Sequence, residues 1–303
     1  MQIPEITIPI IEIPYSEDVQ LFIKREDMIH SEISGNKYWK LFYNIQDYLE
    51  SKPQNPLLIT FGGAYSNHIS ALAALGRENK IPTLGIIRGE EVANLWQNNP
   101  TLIKAHQDGM EFAFVTRDAY RDKAALKEQF LEKYPDAVVI PEGGSNILAV
   151  KGVQHMLDER TKEFDYLCTA VGTGGTFSGL ASYAEDYQQV IGFMAVNDTE
   201  TGNRVKQWTQ NPNRRLIDSS GRGYGKITDE LIRFINDFTD RYHVPLEPMY
   251  TAKMMQRIFQ MIDEGTFSKG SKILAFHTGG LQGINGINDV LKRKNKELIK
   301  ENL

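Results

Sequence analysis

The stretch YLCTAVGTGGTFSG, residues 166–179, carries the strongest structural signal in the sequence. Its first six residues form an apolar run typical of a strand buried on both faces, and residues 177–187 have a helical pattern. Glycines between a strand and a helix let the backbone wrap closely around an anion, toward which the free N–H groups of the first helical turn point. We therefore predict an anion cup for a phosphate, into which a side chain at position 174 would project. Its residues are Gly172, Thr173, Gly174, Gly175 and Thr176.

The residues that are absent from this loop limit the class of phosphate-bearing ligand that it can bind. A nucleoside-triphosphate loop contains a Gly-Lys pair followed by Ser or Thr, whereas residues 171–179 contain no lysine. The loop therefore suits a monophosphate ester that needs no metal ion. A dinucleotide fingerprint would have a third glycine where Phe177 stands and an acidic residue at the end of the next strand, where Asp198 is the candidate. A nicotinamide cofactor and a plain tight turn remain as alternatives.

Strand-like and helix-like segments alternate along the rest of the chain. Strands are predicted at residues 18–26, 56–61, 83–87, 111–115, 137–140, 166–171, 190–196 and 272–276. Helices are predicted at residues 38–49, 69–78, 95–108, 120–134, 152–161 and 177–187. This alternation predicts an α/β protein with two open, mostly parallel, twisted sheets flanked by helices.

The strand–helix units also predict the domain organisation. Four of them occupy residues 50–150, enough for a small domain of their own. Residues 1–49 and 151–303 are then expected to form a discontinuous large domain that binds the cofactor and into which the small domain is inserted. The segment GRGYGKI at residues 221–227 follows no predicted strand and is interpreted as a flexible or substrate-facing loop.

Composition and charge exclude several functional classes. The 303 residues contain 34 Lys and Arg against 39 Asp and Glu, a formal net charge of −5, which argues against a nucleic-acid partner. No apolar run reaches the ~18 residues of a membrane-spanning helix, and no secretory signal is visible, so we expect a cytoplasmic protein without a membrane partner. The six histidines show no metal-binding spacing and Cys168 is the single cysteine, so no metal is expected.

Lys37 stands at the start of a predicted amphipathic helix, directly after Ser34-Gly35-Asn36. The positive end of the helix dipole disfavours an ammonium group there and so favours the neutral amine, which is the form that makes a Schiff base. A phosphate cup without a lysine of its own strengthens this interpretation, because a phosphate-bearing aldehyde cofactor needs both parts. The alternative is a solvated surface lysine.

Ser66, Asn67 and His68 follow two glycines and precede the predicted helix at residues 69–78. Ser66 or Asn67 suits the N-cap of that helix, which is one interpretation. In the other, the N–H groups at the start of the helix bind a substrate carboxylate. His68 is a candidate base, or else a structural histidine.

Taken together, these segments resemble the 1-aminocyclopropane-1-carboxylate deaminase/D-cysteine desulfhydrase family of fold-type II pyridoxal-phosphate enzymes. The resemblance runs in the same order through nearly the whole chain. Besides the phosphate loop, its segments are KRED at 24–27, GNK at 35–37, GGAYSNH at 62–68, PEGGSN at 141–146, EPMYTAK at 247–253 and HTGG at 277–280.

The resemblance implies a tryptophan synthase β-like fold, pyridoxal 5′-phosphate as cofactor, a small amino acid as substrate and a homodimer. It implies that Lys37 binds the cofactor covalently and moves the α-proton. Asn67 would bond the cofactor's ring hydroxyl, and Ser66 the substrate carboxylate. Tyr250 would approach the substrate over the ring, and Thr278 would face the pyridine nitrogen. The implied catalytic residues are Lys37, Ser66 and Tyr250; the cofactor ligands are Lys37, Asn67, residues 172–176 and Thr278; the substrate ligands are Ser66, Asn67, His68 and Tyr250.

One departure from the family pattern bears on the activity. Deaminases of the family have a tyrosine in a pattern like LYxHxGG, whereas residues 274–280 read LAFHTGG and place Ala275 there. Thr278 is neutral, and so would leave the cofactor a weaker electron sink than an acidic group would. We therefore expect a lyase that performs α,β-elimination on a small amino acid of D configuration, such as D-cysteine, giving pyruvate and ammonia. The alternatives are a deaminase that gives 2-oxobutyrate and ammonia, and a non-catalytic cofactor-binding protein.

Overall fold

The computed structural model describes residues 3–196, 198–221 and 226–300. Within these ranges the chain forms a six-stranded and a four-stranded sheet with helices packed on them. The strands are β1 (Ile10–Glu12), β2 (Gln20–Lys24), β3 (Leu57–Gly62), β4 (Thr83–Arg88), β5 (Met110–Val115), β6 (Ala137–Ile140), β7 (Tyr166–Val171), β8 (Gln189–Met194), β9 (Arg214–Asp218) and β10 (Lys272–Phe276). The predicted α/β class with mostly parallel sheets is confirmed.

The larger sheet has the strand order β1-β2-β10-β7-β8-β9, and among the described strands only β1 runs antiparallel to its neighbour. The central strand β7 is buried at every residue after Tyr166, as its apolar run predicts. The prediction at residues 190–196 extends two residues too far, because β8 ends at Met194. Strands β1 and β9 were not predicted: the first has three residues, and the second, RRLID, has the charged composition of an edge strand.

The smaller sheet has the order β5-β4-β3-β6, with all of its described pairs parallel. Its strands come from residues 57–140, and those of the larger sheet come from residues 10–24 and 166–276 on either side. The domain limits at residues 50 and 150 stay a prediction, since the strand content alone does not define them.

Helices cover both sheets. Four described helices, at residues 199–208, 229–242, 251–263 and 283–293, were not predicted, and the helix predicted at 177–187 ends at Tyr183. Two further differences have local causes. Helix α3 begins at Pro100, because proline is tolerated at the first helical position but not inside a helix, so residues 96–98 form a separate 3₁₀ turn. The helix predicted at 152–161 is wrong: α5 ends at Val153, and Asp158 caps a new 3₁₀ turn. The described helices are α1 (Asn36–Glu50), α2 (Asn67–Asn79), α3 (Pro100–Gln107), α4 (Lys123–Lys133), α5 (Ile147–Val153), α6 (Gly175–Tyr183), α7 (Thr199–Trp208), α8 (Asp229–Tyr242), α9 (Thr251–Asp263) and α10 (Gly283–Arg293).

The two faces of the larger sheet pack into different hydrophobic clusters. Leu167 and Val171 of β7 belong to one cluster, and Cys168 and Ala170 to the other. Successive side chains of a strand point to opposite faces, so this alternation means that helices cover the sheet on both sides.

The segment at residues 221–227 and the lengths of the helices bear on two of the predictions. Gly221 follows β9 by three residues, so the statement that the segment 221–227 follows no strand is wrong; residues 222–225 of that segment lie outside the described residues. No helix in the described part of the chain is long and apolar enough to cross a membrane.

Candidate active site

A cavity of about 780 Å³ lies where the carboxyl ends of the strands of both sheets meet. Loops that follow parallel strands converge on such a crevice, which is where ligands bind in open α/β sheets. The cavity is more basic than the chain as a whole, since seven basic and four acidic side chains line it among the described residues. They are Lys37, Lys40, Arg88, Lys123, Arg204, Lys294 and Lys296, and Glu142, Asp198, Glu200 and Glu247.

Lys37 lines this cavity from the first turn of α1, which begins at Asn36. Its Nζ atom donates a hydrogen bond to Oδ1 of Asn36 at 2.7 Å. Burial lowers the pKa of Lys37 to about 8, against the opposing attraction of the Glu247 carboxylate. The sequence predicted this direction from the helix dipole, whereas the main cause in the structure is burial of the amine.

Asn36 connects the lysine to the predicted phosphate loop. Its Nδ2 atom donates to Oγ1 of Thr176 at 2.8 Å, and both side chains are buried. The start of α1 and the start of α6 are therefore held together by one amide group. Asn36 was not among the predicted site residues, although its position beside Lys37 was a usable signal.

A second lysine reaches the anion cup. Lys40 lies one turn after Lys37 on α1, is 3% exposed, and its Nζ donates to Oγ of Ser145 at 2.7 Å. Ser145 in turn hydrogen-bonds Oγ1 of Thr173 in the loop. Burial and the nearby charge of Lys37 hold the pKa of Lys40 well below its usual range. The expectation that the cup lacks a lysine of its own is thus wrong, because residues three apart share a helix face and α1 supplies both.

The glycines of the loop face different neighbours. Gly174 has φ +90° and is the N-cap of α6, and a Cβ there would lie 3.1 Å from Cγ2 of Val205. The expectation that a side chain at Gly174 enters the cup is therefore wrong. A Cβ at Gly175 would instead lie 2.7 Å from Oγ of Ser145 and 3.2 Å from Cε of Lys40. Position 175 is where a side chain would fill the cup.

Ser66 and Asn67 line the cavity from the smaller sheet. Ser66 is the N-cap of α2, as one interpretation predicted, and its Oγ accepts from the N–H of Ile69 at 3.4 Å. Oδ1 of Asn67 accepts from Nε2 of Gln282 at 2.9 Å. The hydroxyl hydrogen of Ser66 and the positive end of α2 suit a carboxylate at this end of the cavity.

His68 is buried behind these two residues, at 1% exposure. The Thr60 hydroxyl donates to the carbonyl of Ile140 at 2.8 Å, so Nε2 of His68 must be the donor in its 2.8 Å bond to Thr60. Burial and the two nearby lysines hold the pKa of His68 well below its usual range. His68 is therefore neutral, and its Nδ1 atom has no hydrogen-bond partner among the described residues.

Glu247 provides a carboxyl group to the cavity and was not among the predicted site residues. It is 2% exposed, and its oxygens accept from the backbone N–H groups of Met249 at 3.0 Å, Thr251 at 3.1 Å and Tyr250. Burial raises the pKa of Glu247 to about 7. These bonds orient Tyr250, whose ring lies against the phosphate loop: a Cβ at Gly172 would be 3.1 Å from its Cε1 atom.

The remaining predicted residues divide between the cavity and the core. Thr278 lines the cavity, and its carbonyl accepts from the N–H of Asn36 at 3.3 Å. Ala275 is fully buried in the cluster under the sheet.

Asp198 does not end β8 but caps α7, and its carboxylate accepts from Thr201 and Arg204, each at 2.8 Å. The described residues contain no group of three or more His, Cys, Asp or Glu placed to hold a metal ion.

The donor set fits pyridoxal 5′-phosphate. The cup offers helix N–H groups, hydroxyls and the Lys40 amine to a phosphate, whose negative charge would favour the protonated form of that amine. Lys37 offers an amine of lowered pKa on the same helix. Asn67 and Thr278 line the space between the two sheets, where a ring would lie. The fold and this site define the class: a fold-type II pyridoxal-phosphate enzyme.

Comparison with known proteins agrees with this class. The chain belongs to the family described as "Pyridoxal-phosphate dependent enzyme", whose profile matches residues 3–279. It is 28% identical over 297 residues to the "Bifunctional D-cysteine desulfhydrase/1-aminocyclopropane-1-carboxylate deaminase, mitochondrial" of Arabidopsis thaliana, covering 88% of this chain and 73% of that protein. It is 27% identical to the 1-aminocyclopropane-1-carboxylate deaminase of a Bradyrhizobium species, covering 88% of each.

A solved structure is similar over nearly the whole fold. The solved structure titled "Crystal Structure Analysis of the ACC deaminase homologue" superimposes with a TM-score of 0.81 at 24% identity, covering 94% of this chain and 93% of that one. The resemblance stated from the sequence is confirmed, with its cofactor, pyridoxal 5′-phosphate. The nicotinamide alternative is excluded, and the protein is a pyridoxal-phosphate-dependent lyase of this family.

Proposed function

We propose that this enzyme performs α,β-elimination on a small amino acid of D configuration, with D-cysteine as the type substrate. D-cysteine and water would become pyruvate, ammonia and hydrogen sulfide. The observation that carries the proposal is that two groups line the same cavity. Lys37, whose pKa is lowered, lines it from the side of the larger sheet, and the start of α2, which suits a carboxylate, lines it from the side of the smaller sheet. An amino acid held by its carboxylate at α2 would present its α-carbon to the amine.

The division of labour follows from these positions. The cup at residues 172–176, with Lys40, would hold the phosphate, and Asn67 the ring hydroxyl. Pyridoxal phosphate, when bound, supplies an electron sink conjugated to the substrate's α-carbon. Ser66 would donate to the substrate carboxylate, and Nζ of Lys37 would take the α-proton. Tyr250, oriented by Glu247, would place its hydroxyl beside the substrate.

The choice of elimination over deamination depends on the side chains that line the cavity. The described residues that line the cavity include two tyrosines, Tyr65 and Tyr250. The expectation that position 275 would offer a phenol to the substrate is wrong, because Ala275 faces the core under the larger sheet, so this position does not bear on the choice. Thr278 offers a neutral hydroxyl where a carboxyl group would strengthen the electron sink. The second candidate, 1-aminocyclopropane-1-carboxylate deamination to 2-oxobutyrate and ammonia, is favoured by the names of the relatives.

The test is a substrate panel with the purified, cofactor-loaded enzyme. D-cysteine, L-cysteine, β-chloro-D-alanine and 1-aminocyclopropane-1-carboxylate are compared by the pyruvate, 2-oxobutyrate, ammonia and sulfide that they release. We expect pyruvate from the D substrates, at a rate ~10²–10⁴ times that of 2-oxobutyrate release, since one positioned acid–base group is worth that much. Rapid 2-oxobutyrate release with D-cysteine inert would restore the deaminase. No product from any compound would contradict the proposed substrate and place it outside this panel.

A matched pair of variants controls this panel. Lys37→Ala should lose turnover, and Lys127→Ala, at an exposed lysine of α4 outside the cavity, should keep it. We further propose, on the resemblance alone, that the enzyme is a cytoplasmic homodimer. Light scattering of the loaded enzyme would test the dimer, and a monomer of 34.4 kDa would contradict it.

A further inference from the structure

A cation on the rim of the cavity is not used by the reaction described above. Arg88 is the last residue of β4 and lines the cavity with an exposed side chain. Because Gly62 of β3 pairs with Ile87 of β4, Arg88 lies beside the residues that follow β3. A Cβ built at Gly63 would lie 3.8 Å from Nη2 of Arg88. The guanidinium group therefore stands over the loop that leads to Ser66.

The neighbours of Arg88 leave its donors available. Its guanidinium lies 5.8 Å from the ring centroid of Tyr120, a cation–π contact that holds the side chain without using an N–H. The nearby acid, Glu142, accepts from the Tyr120 hydroxyl at 2.9 Å and pairs with Lys123 at 3.3 Å. In the described part of the chain, no carboxylate lies within 4.0 Å of Arg88 and no acceptor bonds it, whereas Arg117 pairs with Glu91.

The spacing from the carboxylate site suits a short, doubly anionic molecule. The N–H of Ser66 donates to the carbonyl of Gly63 at 3.0 Å, so these residues are the two ends of one turn. The Cα atoms at the ends of such a turn are less than about 7 Å apart. An amino acid whose carboxylate lies at Ser66 can therefore place a second charge, a few atoms along its side chain, near the guanidinium group.

We infer that Arg88 binds a second anionic group, carried on the β-substituent of the amino-acid substrate. Seven basic and four acidic side chains line the cavity among the described residues, so its walls favour an anionic over a cationic substrate side chain. Guanidinium groups bind carboxylate, sulfonate and phosphate oxygens in pairs, which gives both affinity and orientation.

The chemistry of elimination is compatible with this role. With O-phosphoserine, the α-proton passes to Nζ of Lys37, the Cβ–O bond breaks, and its electron pair leaves on the phosphate, which Arg88 receives. Water then converts the three-carbon fragment to pyruvate and ammonia. The inference rests on the proposed elimination for turnover, whereas binding of the second anion can be measured without it.

The test uses two ligands that differ by one charge. D-aspartate and D-asparagine have the same shape, and neither carries a leaving group, so their dissociation constants are measured by absorbance titration of the loaded enzyme. We expect D-aspartate to bind at least tenfold tighter in the parent and in Arg117→Gln. The ratio of the dissociation constant of D-asparagine to that of D-aspartate should fall to near one in Arg88→Gln and recover in part in Arg88→Lys. The reason is that a hydrogen bond to a charged group changes affinity by roughly ten- to a hundredfold.

Each outcome decides the inference. Equal binding of the two ligands to the parent, or a preference that survives in Arg88→Gln, would overturn it. O-phospho-D-serine should release pyruvate with a kcat/KM above that of β-chloro-D-alanine in the parent, and this ratio should drop in Arg88→Gln. If no compound releases pyruvate while the aspartate preference depends on Arg88, the elimination fails and the anion site stands.

Discussion

Nζ of Lys37 lies 2.7 Å from Oδ1 of Asn36, and the nitrogen of the same amide donates to Thr176 at 2.8 Å. One side chain thus holds the amine of α1 and the first turn of α6 in a fixed relation. An amide presents an acceptor and a donor on opposite sides, so Asn36 can orient a lysine and a phosphate loop together. If Lys37 and the loop hold the cofactor as proposed, this contact sets the distance between its two attachment points.

The first prediction concerns the pH dependence of cofactor attachment. In the proposed function the neutral amine of Lys37 is the nucleophile, and burial lowers the pKa of this amine to about 8. Below that value the rate at which the apoprotein binds pyridoxal phosphate covalently should fall roughly tenfold per pH unit, and above it the rate should level off. Stopped-flow absorbance measures this rate. A rate that still rises at pH 10 would mean that the amine has its ordinary pKa.

The second prediction assigns a phosphate ligand. Lys40→Met keeps much of the volume and the helix propensity but removes the charge that lies 2.7 Å from Ser145. The Kd of the cofactor should rise ~10–100-fold, because a charge-assisted hydrogen bond to phosphate is lost. Equilibrium titration of the apoprotein measures it, with Lys127→Met as the control at an exposed site. An unchanged Kd would remove Lys40 from the anion cup.

The third prediction separates two adjacent glycines. Gly175→Ala places a methyl group 2.7 Å from Oγ of Ser145, inside the cup, and should weaken cofactor binding more than Gly174→Ala does. Gly174→Ala forces an L residue to φ +90° and should lower the unfolding free energy of the apoprotein by ~1–2 kcal/mol. Cofactor titration and chemical denaturation of both variants measure the two effects. The reverse ranking in cofactor affinity would contradict the geometry of the loop.

The fourth prediction is a linkage between Glu247 and stability. The pKa of this carboxyl is about 7 in the folded chain against an ordinary value of 4.5, so the folded state binds the proton more tightly than the unfolded state does. Its contribution to stability is full below about pH 4.5 and is lost as the pH rises through 7. The unfolding free energy of Glu247→Gln, relative to that of the parent apoprotein, should therefore increase as the pH rises from about 4.5 through 7. A difference that is constant with pH would show that the carboxyl titrates normally.

The sequence predicted the sheets better than the site. Local periodicity indicated every strand of the smaller sheet to within about a residue, and an apolar run indicated β7 of the larger sheet. The edge strand β9 was not predicted, because its charged residues are typical of a surface loop. The helical segment at 152–161 failed because Asp158 and Thr161 form a capping box, which starts a new turn.

What the sequence determined by itself is the set of short-range features: alternating strands and helices, the glycine loop, the start of α1 at the lysine and the capping of α2 by Ser66 or Asn67. These depend on residues a few positions apart, whose backbone preferences are written locally. Only the tertiary structure decided that Lys40 enters the anion cup from α1, that Glu247 is a buried carboxyl of the same cavity, and that a side chain at Gly174 would face Val205. Burial and the approach of distant segments set those properties, because desolvation and side-chain direction arise only when the two sheets close around the cavity.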